Sequence, residues 1–354
     1  MAQSRLLSAI PRKSLIGCES CCSTTQSIHA ILIGMIAFVM SGRLTPSPGT
    51  VLMVLILLST AIASSGRSLL PANVSPLPLR LPPLEIAGQA ARAHTQGLEV
   101  VRGDFYVTAR REDMPTKRAL LLRLKAGGTQ WDAWDITPTE SQAVEALYDH
   151  PGGMQSDGRC LWIPIAQSNK SGRSVIRAFP LSGMIPGQRL KHELEIPVND
   201  HIGAIAVDQR RKWVYGASWD TELVYIWNHT GSMERTLSWW EMENCQLGRV
   251  SGTRTRDGLR VQDWKAVGKR LFASGLIRRP TDPAGLPESL FVSFERFASP
   301  HVNRVSRLLS KINGIELANE AMAVADRTVY FLPEDLGESN RVFRIPLADL
   351  THSR

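Results

Sequence analysis

Three histidines recur at matching places in this 354-residue chain: His94, His150 and His201 each stand four residues before an apolar residue, Leu98, Met154 and Ile205. Glycine follows each within three residues, and each leads into an apolar run: Asp104 to Ala109, Cys160 to Ala166 and Trp213 to Ser218. Weaker copies fit at Trp264 and Met322, where Gln262-Asp263 and Asn319-Glu320 take the histidine's place. Three imidazoles and the carboxylates of Asp263 and Glu320 around one opening would suit a divalent metal, zinc in particular. Such a metal would polarise a carbonyl or activate water, the chemistry of a hydrolase or lyase. Asp149 and Asp200 directly precede two of the histidines and would orient the rings. An architectural role is open as well, because a histidine before a glycine turn can serve only to hydrogen-bond the backbone of the next repeat.

For these residues to converge, the chain must form a ring. The five aligned residues are spaced by 56, 51, 59 and 58 positions, and several short β runs fall in each period. That is the mark of propeller blades rather than helical solenoids. In the second copy the expected strands lie around Met154, at Cys160 to Ala166, at Ser174 to Leu181 and at Lys191 to Val198. Asp157-Gly158, Asn169 to Gly172, Gly183 and Gly187 supply the turns between them. The third copy predicts strands at Lys212 to Trp219, Leu223 to Asn228 and Arg235 to Trp240; the fourth at Arg270 to Ile277 and Ser289 to Phe294; the fifth at Thr328 to Leu332 and Arg341 to Leu347. Pro164 falls inside a predicted strand and implies a bulge there. The fifth copy lacks an outer strand, and Leu77 to Ile86 has no blade of its own, so this N-terminal segment should close the ring. The expected fold is therefore all-β, a single propeller of five four-stranded blades. The long connections Glu241 to Leu259 and Ala298 to Ile315 leave room for a sixth, and Arg304 to Lys311 could form a short helix.

In such a ring the loops between second and third strands open on the same face as the histidines. They would provide a rim of Arg110, Arg111, Asn169, Lys170, Asp220, Arg278, Arg279 and Glu334, able to select a small polar or anionic ligand or a glycan; the alternative to an enzyme is a noncatalytic propeller that binds such a ligand, or a protein, through this rim. Trp131, Trp134, Trp239 and Trp240 are better read as core than as sugar platforms. The chain holds no Gly-x-Ser-x-Gly, Walker-type glycine loop, His-Glu-x-x-His or paired Cys-x-x-Cys motif, so serine-nucleophile and nucleotide chemistry are without support.

The formal charge is +8, but four of the 41 basic residues and one of the 33 acidic ones precede Ser64, which leaves +5 on the remainder. Those charges are scattered, and no basic stripe alternates with aromatics, so nucleic acid is not the expected partner. Residues 1–63 read as an export region. Arg43 is the n-region, Val51 to Leu58 the apolar h-region, and Ala61-Ile62-Ala63 the cleavage site, with cut before Ser64. An earlier apolar stretch, Ile28 to Met40, is then surplus, and is explained either by translation beginning at Met35 or Met40, or by a membrane-associated hairpin of both stretches. Residues 64–76 are a linker and 77–354 the propeller, expected to be an exported, periplasmic or extracellular monomer. Cleavage leaves Cys160 and Cys245, of which Cys160 opens a strongly apolar run and is expected buried and unpaired.

The block from His150-Pro151-Gly152-Gly153-Met154 to Ala166, together with Asp200 to Ile205, resembles an uncharacterised family of β-propeller proteins from bacteria and fungi. The resemblance covers roughly Leu77 to Leu350 and implies the fold and its closure, with no assigned activity. A looser similarity is to gluconolactonase-like propellers, which implies a metal at the channel mouth. Those sites use mainly carboxylates and asparagines where this chain has histidines, so calcium and lactone hydrolysis do not carry over directly.

Overall fold

The computed structural model describes residues 76–138, 147–238, 259–277, 288–295, 301–308, 311–312, 315–337 and 340–351. Among these residues the chain forms five antiparallel blades of a β-propeller. The first is Ala93–Val101, Asp104–Arg111, Arg118–Leu124 and Trp131–Asp135. The second has a broken inner strand, His150–Pro151 and Gln155–Ser156, followed by Cys160–Ala166, Ser174–Pro180 and Leu194–Val198. The third is Ile202–Asp208, Trp213–Ser218, Leu223–Asn228 and Met233–Ser238. The fourth is Arg260–Val267, Arg270–Ile277, Glu288–Glu295 and His301–Leu308. The fifth is Ala321–Ala325, Thr328–Leu332 and Asn340–Pro346, with Leu77–Leu81 as its outer strand.

Local sequence explains these strands. Cys160–Ala166 is apolar throughout and all seven residues are buried, because neighbouring blades cover both faces. Tight two-residue turns at Arg102-Gly103 and Asp326-Arg327 have both residues at positive φ, the hairpin geometry that matches strand twist. Each gap between adjacent blades holds its own apolar core. Cys160, Trp162, Ile176, Ile205, Val207 and Trp227 fill the gap between blades two and three. Leu84, Leu98, Val107, Leu120, Leu332 and Val342 fill the gap that closes the ring between blades five and one. A fully buried side chain of this size contributes roughly 1.5–3 kcal/mol, so these seams, rather than any single hydrogen bond at about 1 kcal/mol, hold the blades together.

The N-terminal strand closes the ring as the sequence predicts, pairing from Leu77 opposite Arg344 to Leu81 opposite Asn340. It is shorter than expected: Glu85–Ile86 pairs instead with Gln89–Ala90. Around it, Pro82 O accepts from Asn340 Nδ2 at 2.6 Å and from Trp131 Nε1 at 3.1 Å, which joins blades five and one. Two other expectations are corrected. Arg304 to Lys311 contributes no helix, since His301–Leu308 is the outer strand of blade four. The segment Cys160–Ala166 carries no bulge at Pro164, which stays in register with Ile176. The irregularity lies in the neighbouring inner strand, interrupted at Gly152 to Met154. That interruption accommodates the missing proline N–H, and Gly152 N donates to Pro164 O at 2.9 Å.

Trp131 and Trp134 are buried, with their indole N–H groups on Pro82 O and Ile185 O. Cys160 is a buried free thiol, its pKa pushed up to about 11 by burial. Cys245, Trp239, Trp240, the expected export segment and nearly all of Glu241 to Leu259 lie outside the described residues. No helix among the described residues is long and apolar enough to cross a membrane.

Candidate functional site at the channel mouth

The repeat signature corresponds to a β-bulge. In blades one, three and four the inner strand shifts register between Thr95 and Gly97, Ile202 and Ala204, and Val261 and Asp263. The residue after each shift is Leu98, Ile205 or Trp264, so three of the five aligned copies coincide in structure at the bulge. The five positions just before these apolar residues hold Gly97, Gly153, Ala204, Asp263 and Ala321. Four are small and one is a carboxylate. A Cβ added to Gly153 would lie 2.6 Å from Asp263 Oδ1, and one added to Gly97 would lie 2.7 Å from Gly152 O. Asp263 therefore occupies the ring's centre because its counterparts leave room.

That placement separates Asp263 from the histidines. Its Oδ2 accepts from Leu98 N at 3.2 Å and Met322 N at 3.1 Å, and its Oδ1 from Trp264 N at 2.8 Å and Lys265 Nζ at 2.5 Å. Lys265 Nζ also donates to Met154 O at 2.7 Å. One ion pair thus ties blades one, two, four and five. Two residues further along the strands, Gln155 Oε1 accepts from Val207 N and Ala266 N, and Glu99 accepts from Val100 N and Ser156 N. Burial pushes the Asp263 carboxyl up to about 6 and that of Glu99 up to about 7, with Lys265 opposing both shifts. The axis is filled by this polar hub, which sequence reasoning missed apart from Asp263. The histidine's true counterparts, four residues before Trp264 and Met322, are Arg260 and Ala318.

The three histidines do gather at one end of the channel. The His150 and His201 rings lie 5.3 Å apart, and half-exposed Trp219 packs on both, 4.4 Å from His201 and 5.8 Å from His150. His94 is opposite Arg110 on the adjacent strand, and the Arg110 guanidinium reaches His150 Nδ1 at 3.3 Å. Guanidinium can only donate, so His150 Nδ1 accepts and the ring is neutral. Burial depresses its pKa to about 3, with His201 and Arg110 adding to the effect. His201 Nδ1 donates to Asn169 O at 2.9 Å, which leaves Nε2 as the lone-pair nitrogen; burial lowers its pKa too.

His94 differs. Its Nδ1 donates to Asp335 Oδ1 at 2.6 Å, and this bond raises the imidazole pKa and lowers that of the carboxyl. Its Nε2 lies 3.9 Å from Glu320 Oε1. Glu320 is only 11% exposed, and burial pushes its carboxyl up to about 8, against the pull of His94. A carboxyl that holds its proton near neutral pH, beside an imidazole fixed by a second carboxylate, can donate and accept protons.

The anticipated rim is largely engaged with itself. Arg110 bonds Glu112, Arg111 bonds Asp113 at 2.8 Å, Lys170 bonds Asp220, and Glu334 bonds Arg341 at 2.6 Å. Arg278 and Arg279 lie outside the described residues. Asp149 and Asp200 do not orient the imidazoles. Asp149 accepts from Ser168 Oγ at 2.5 Å, and Asp200 from His201 N and the Tyr225 hydroxyl. The residue that does orient a ring, Asp335, directly follows Glu334 in the expected loop, and only the fold shows which of the two faces His94. Among the described residues no three histidine, cysteine or acidic side chains come together as a metal would require.

A family model described as a family of unknown function (DUF6454) matches residues 135–282, from the end of blade one into blade four. The chain is similar to that family. No curated protein matches. Among solved structures it is similar to a bifunctional GH43-CE protein of Bacteroides eggerthii, at 9% identity and TM-score 0.49, over 75% of this chain and 34% of that one. It is also similar to the phage phi92 endosialidase, at 8% identity and TM-score 0.42, over 77% and 69%. A glycosyl hydrolase from Bacteroides ovatus matches at 12% identity and TM-score 0.42, over 78% and 92%. The chain spans about a third of the length of the first of these.

Proposed function

We propose that the channel mouth is an acid–base site, and that the protein is a hydrolase or lyase acting on a small anionic, hydroxyl-rich molecule such as an acidic sugar. The observation that carries this reading is Glu320, proton-bearing near neutral pH and 3.9 Å from His94 Nε2, whose Nδ1 is held by Asp335. Glu320 is the proton donor, His94 the partner that takes the proton or returns it, and Asp335 positions His94. An anionic substrate group would take the place of Glu112 on Arg110, and the half-exposed face of Trp219 offers a stacking surface for a sugar ring. The test is turnover of uronate-containing oligosaccharides and sugar lactones by the wild type, Glu320→Gln and His94→Gln. Loss of about 10²–10⁴-fold in both variants, with unchanged circular dichroism, is expected. Turnover that survives both substitutions would overturn the reading. Saturable binding with no turnover would leave the mouth as a noncatalytic recognition site.

A metal-assisted version has one observation in its favour. His94 and His201 both engage Nδ1 and so keep Nε2 for a ligand, the arrangement that carboxylates and carbonyls hydrogen-bonded to the far ring nitrogen impose on metal-bound imidazoles. Elemental analysis of wild type and a His94→Ala, His201→Ala variant tests it: about one zinc per chain, lost in the variant, supports metal. An export route with cleavage before Ser64 fits an extracellular substrate, and N-terminal sequencing of the mature protein checks it.

A further inference from the structure

The opposite face of the propeller carries a cavity lined mainly by basic residues. Inner strands run from the histidine mouth to hairpin turns at their far ends, roughly 20 Å away for a strand the length of Ile202–Asp208. The turns of blades three and four enclose a cavity of about 270 Å³ lined by Asp208, Arg210, Arg211, Ala266, Gly268, Lys269 and Arg270. Four cations thus face one carboxylate. That carboxylate is already committed to its own turn, because Asp208 Oδ1 accepts from Arg210 N and Arg211 N at 3.0 Å each, and Oδ2 lies 3.4 Å from the Arg211 guanidinium. At the floor, Gln155 holds both backbone groups of Ala266, at 2.8 Å and 2.9 Å, so recognition falls to the cations. The turns are well defined: Gly268 sits at φ +61°, Val267 pairs with Arg270, and the Arg211 guanidinium lies over the Trp213 ring at 5.4 Å.

We infer that this cavity binds a small multivalent oxyanion, a phosphate or sulfate group carried free or on a small organic molecule. The formal surplus of three positive charges matches such an anion, and arginine forks suit its geometry. A volume just below the usual range of about 300–1,000 Å³ for ligand pockets restricts the occupant to something small. The site is independent of the channel mouth and of any reaction there.

The experiment is isothermal titration of the full chain with inorganic pyrophosphate and, separately, with a sulfated monosaccharide, at constant ionic strength with chloride as the control anion. Saturable binding of either probe is expected, weakened at least about tenfold in the Lys269→Ser, Arg270→Ser variant and weakened by added salt. It should be unchanged in Lys125→Ser, an exposed basic residue of the blade-one hairpin that lines neither site. The probe that binds identifies the source of the oxyanion. Absence of saturation with both probes, or binding lost in Lys125→Ser and kept in the turn variant, would overturn the assignment. Melting temperatures in phosphate-free buffer verify that these exposed substitutions leave the fold intact.

Discussion

Asp263 and Lys265 are the residues on which the ring's centre depends. Both are essentially excluded from solvent, and each satisfies groups from other blades. Asp263→Ala leaves a buried ammonium without its counter-ion and three backbone N–H groups, of Leu98, Trp264 and Met322, without their acceptor, and a loss of about 3–5 kcal/mol is expected in urea unfolding. The Asp263→Ala, Lys265→Met double variant should be less destabilised than the sum of the singles, because it removes both charges together. Glu320 gives a separate pH signature. Its folded pKa lies above the ordinary value of 4.5, at about 8, so the folded state binds that proton more tightly than the unfolded chain. This contribution to stability is complete below pH 4.5 and lost as pH rises towards 8. Unfolding midpoints measured from pH 5 to pH 8 should fall, and Glu320→Gln should flatten part of that slope. Sequence spacing brings out the three histidines because identical residues recur at one place in the repeat. It places Asp263 in the wrong company because Asp263 stands directly before Trp264, where the histidines stand four residues before their apolar residue, and the register shift between Val261 and Asp263 turns it onto the axis.

At the scale of the inner strand, the glycines after the histidines let backbones of adjacent blades touch. A Cβ on Gly152 would lie 2.1 Å from Gly203 O, in the contact where Gly153 and Ala204 bridge blades two and three. Gly152→Ala must push these backbones apart, with an expected cost of about 2 kcal/mol or more, read as a lower melting temperature. The strand Cys160–Ala166 is legible from sequence because burial on both faces demands an unbroken apolar run, while Leu223–Asn228 and Thr328–Leu332 are legible as β-branched and aromatic runs apolar but for Asn228 and Thr328. His301–Leu308 is not, since it is an outer strand with five polar residues among eight: His301, Asn303, Arg304, Ser306 and Arg307. An outer strand needs one covered face at most, so its pattern is hard to tell from a loop or helix.

Across the whole molecule, closure by Leu77–Leu81 removes the exposed edge of Asn340–Pro346. A chain beginning at Leu84 should melt at lower temperature and self-associate on size-exclusion chromatography, because that edge is then free to pair with another copy. The order of events in folding follows from the same strand. Leu77 and its partner Arg344 are separated by nearly the whole propeller, so a strand that leaves the ribosome before blades one to four is among the last to find its place. Loop closure over such a span costs entropy that local hairpins do not meet. Blades one to four can assemble hairpin by hairpin during synthesis, while the last seam waits for the end of the chain. Once formed, that late seam joins the two ends of the blade series, and release of either end requires the ring to open there first.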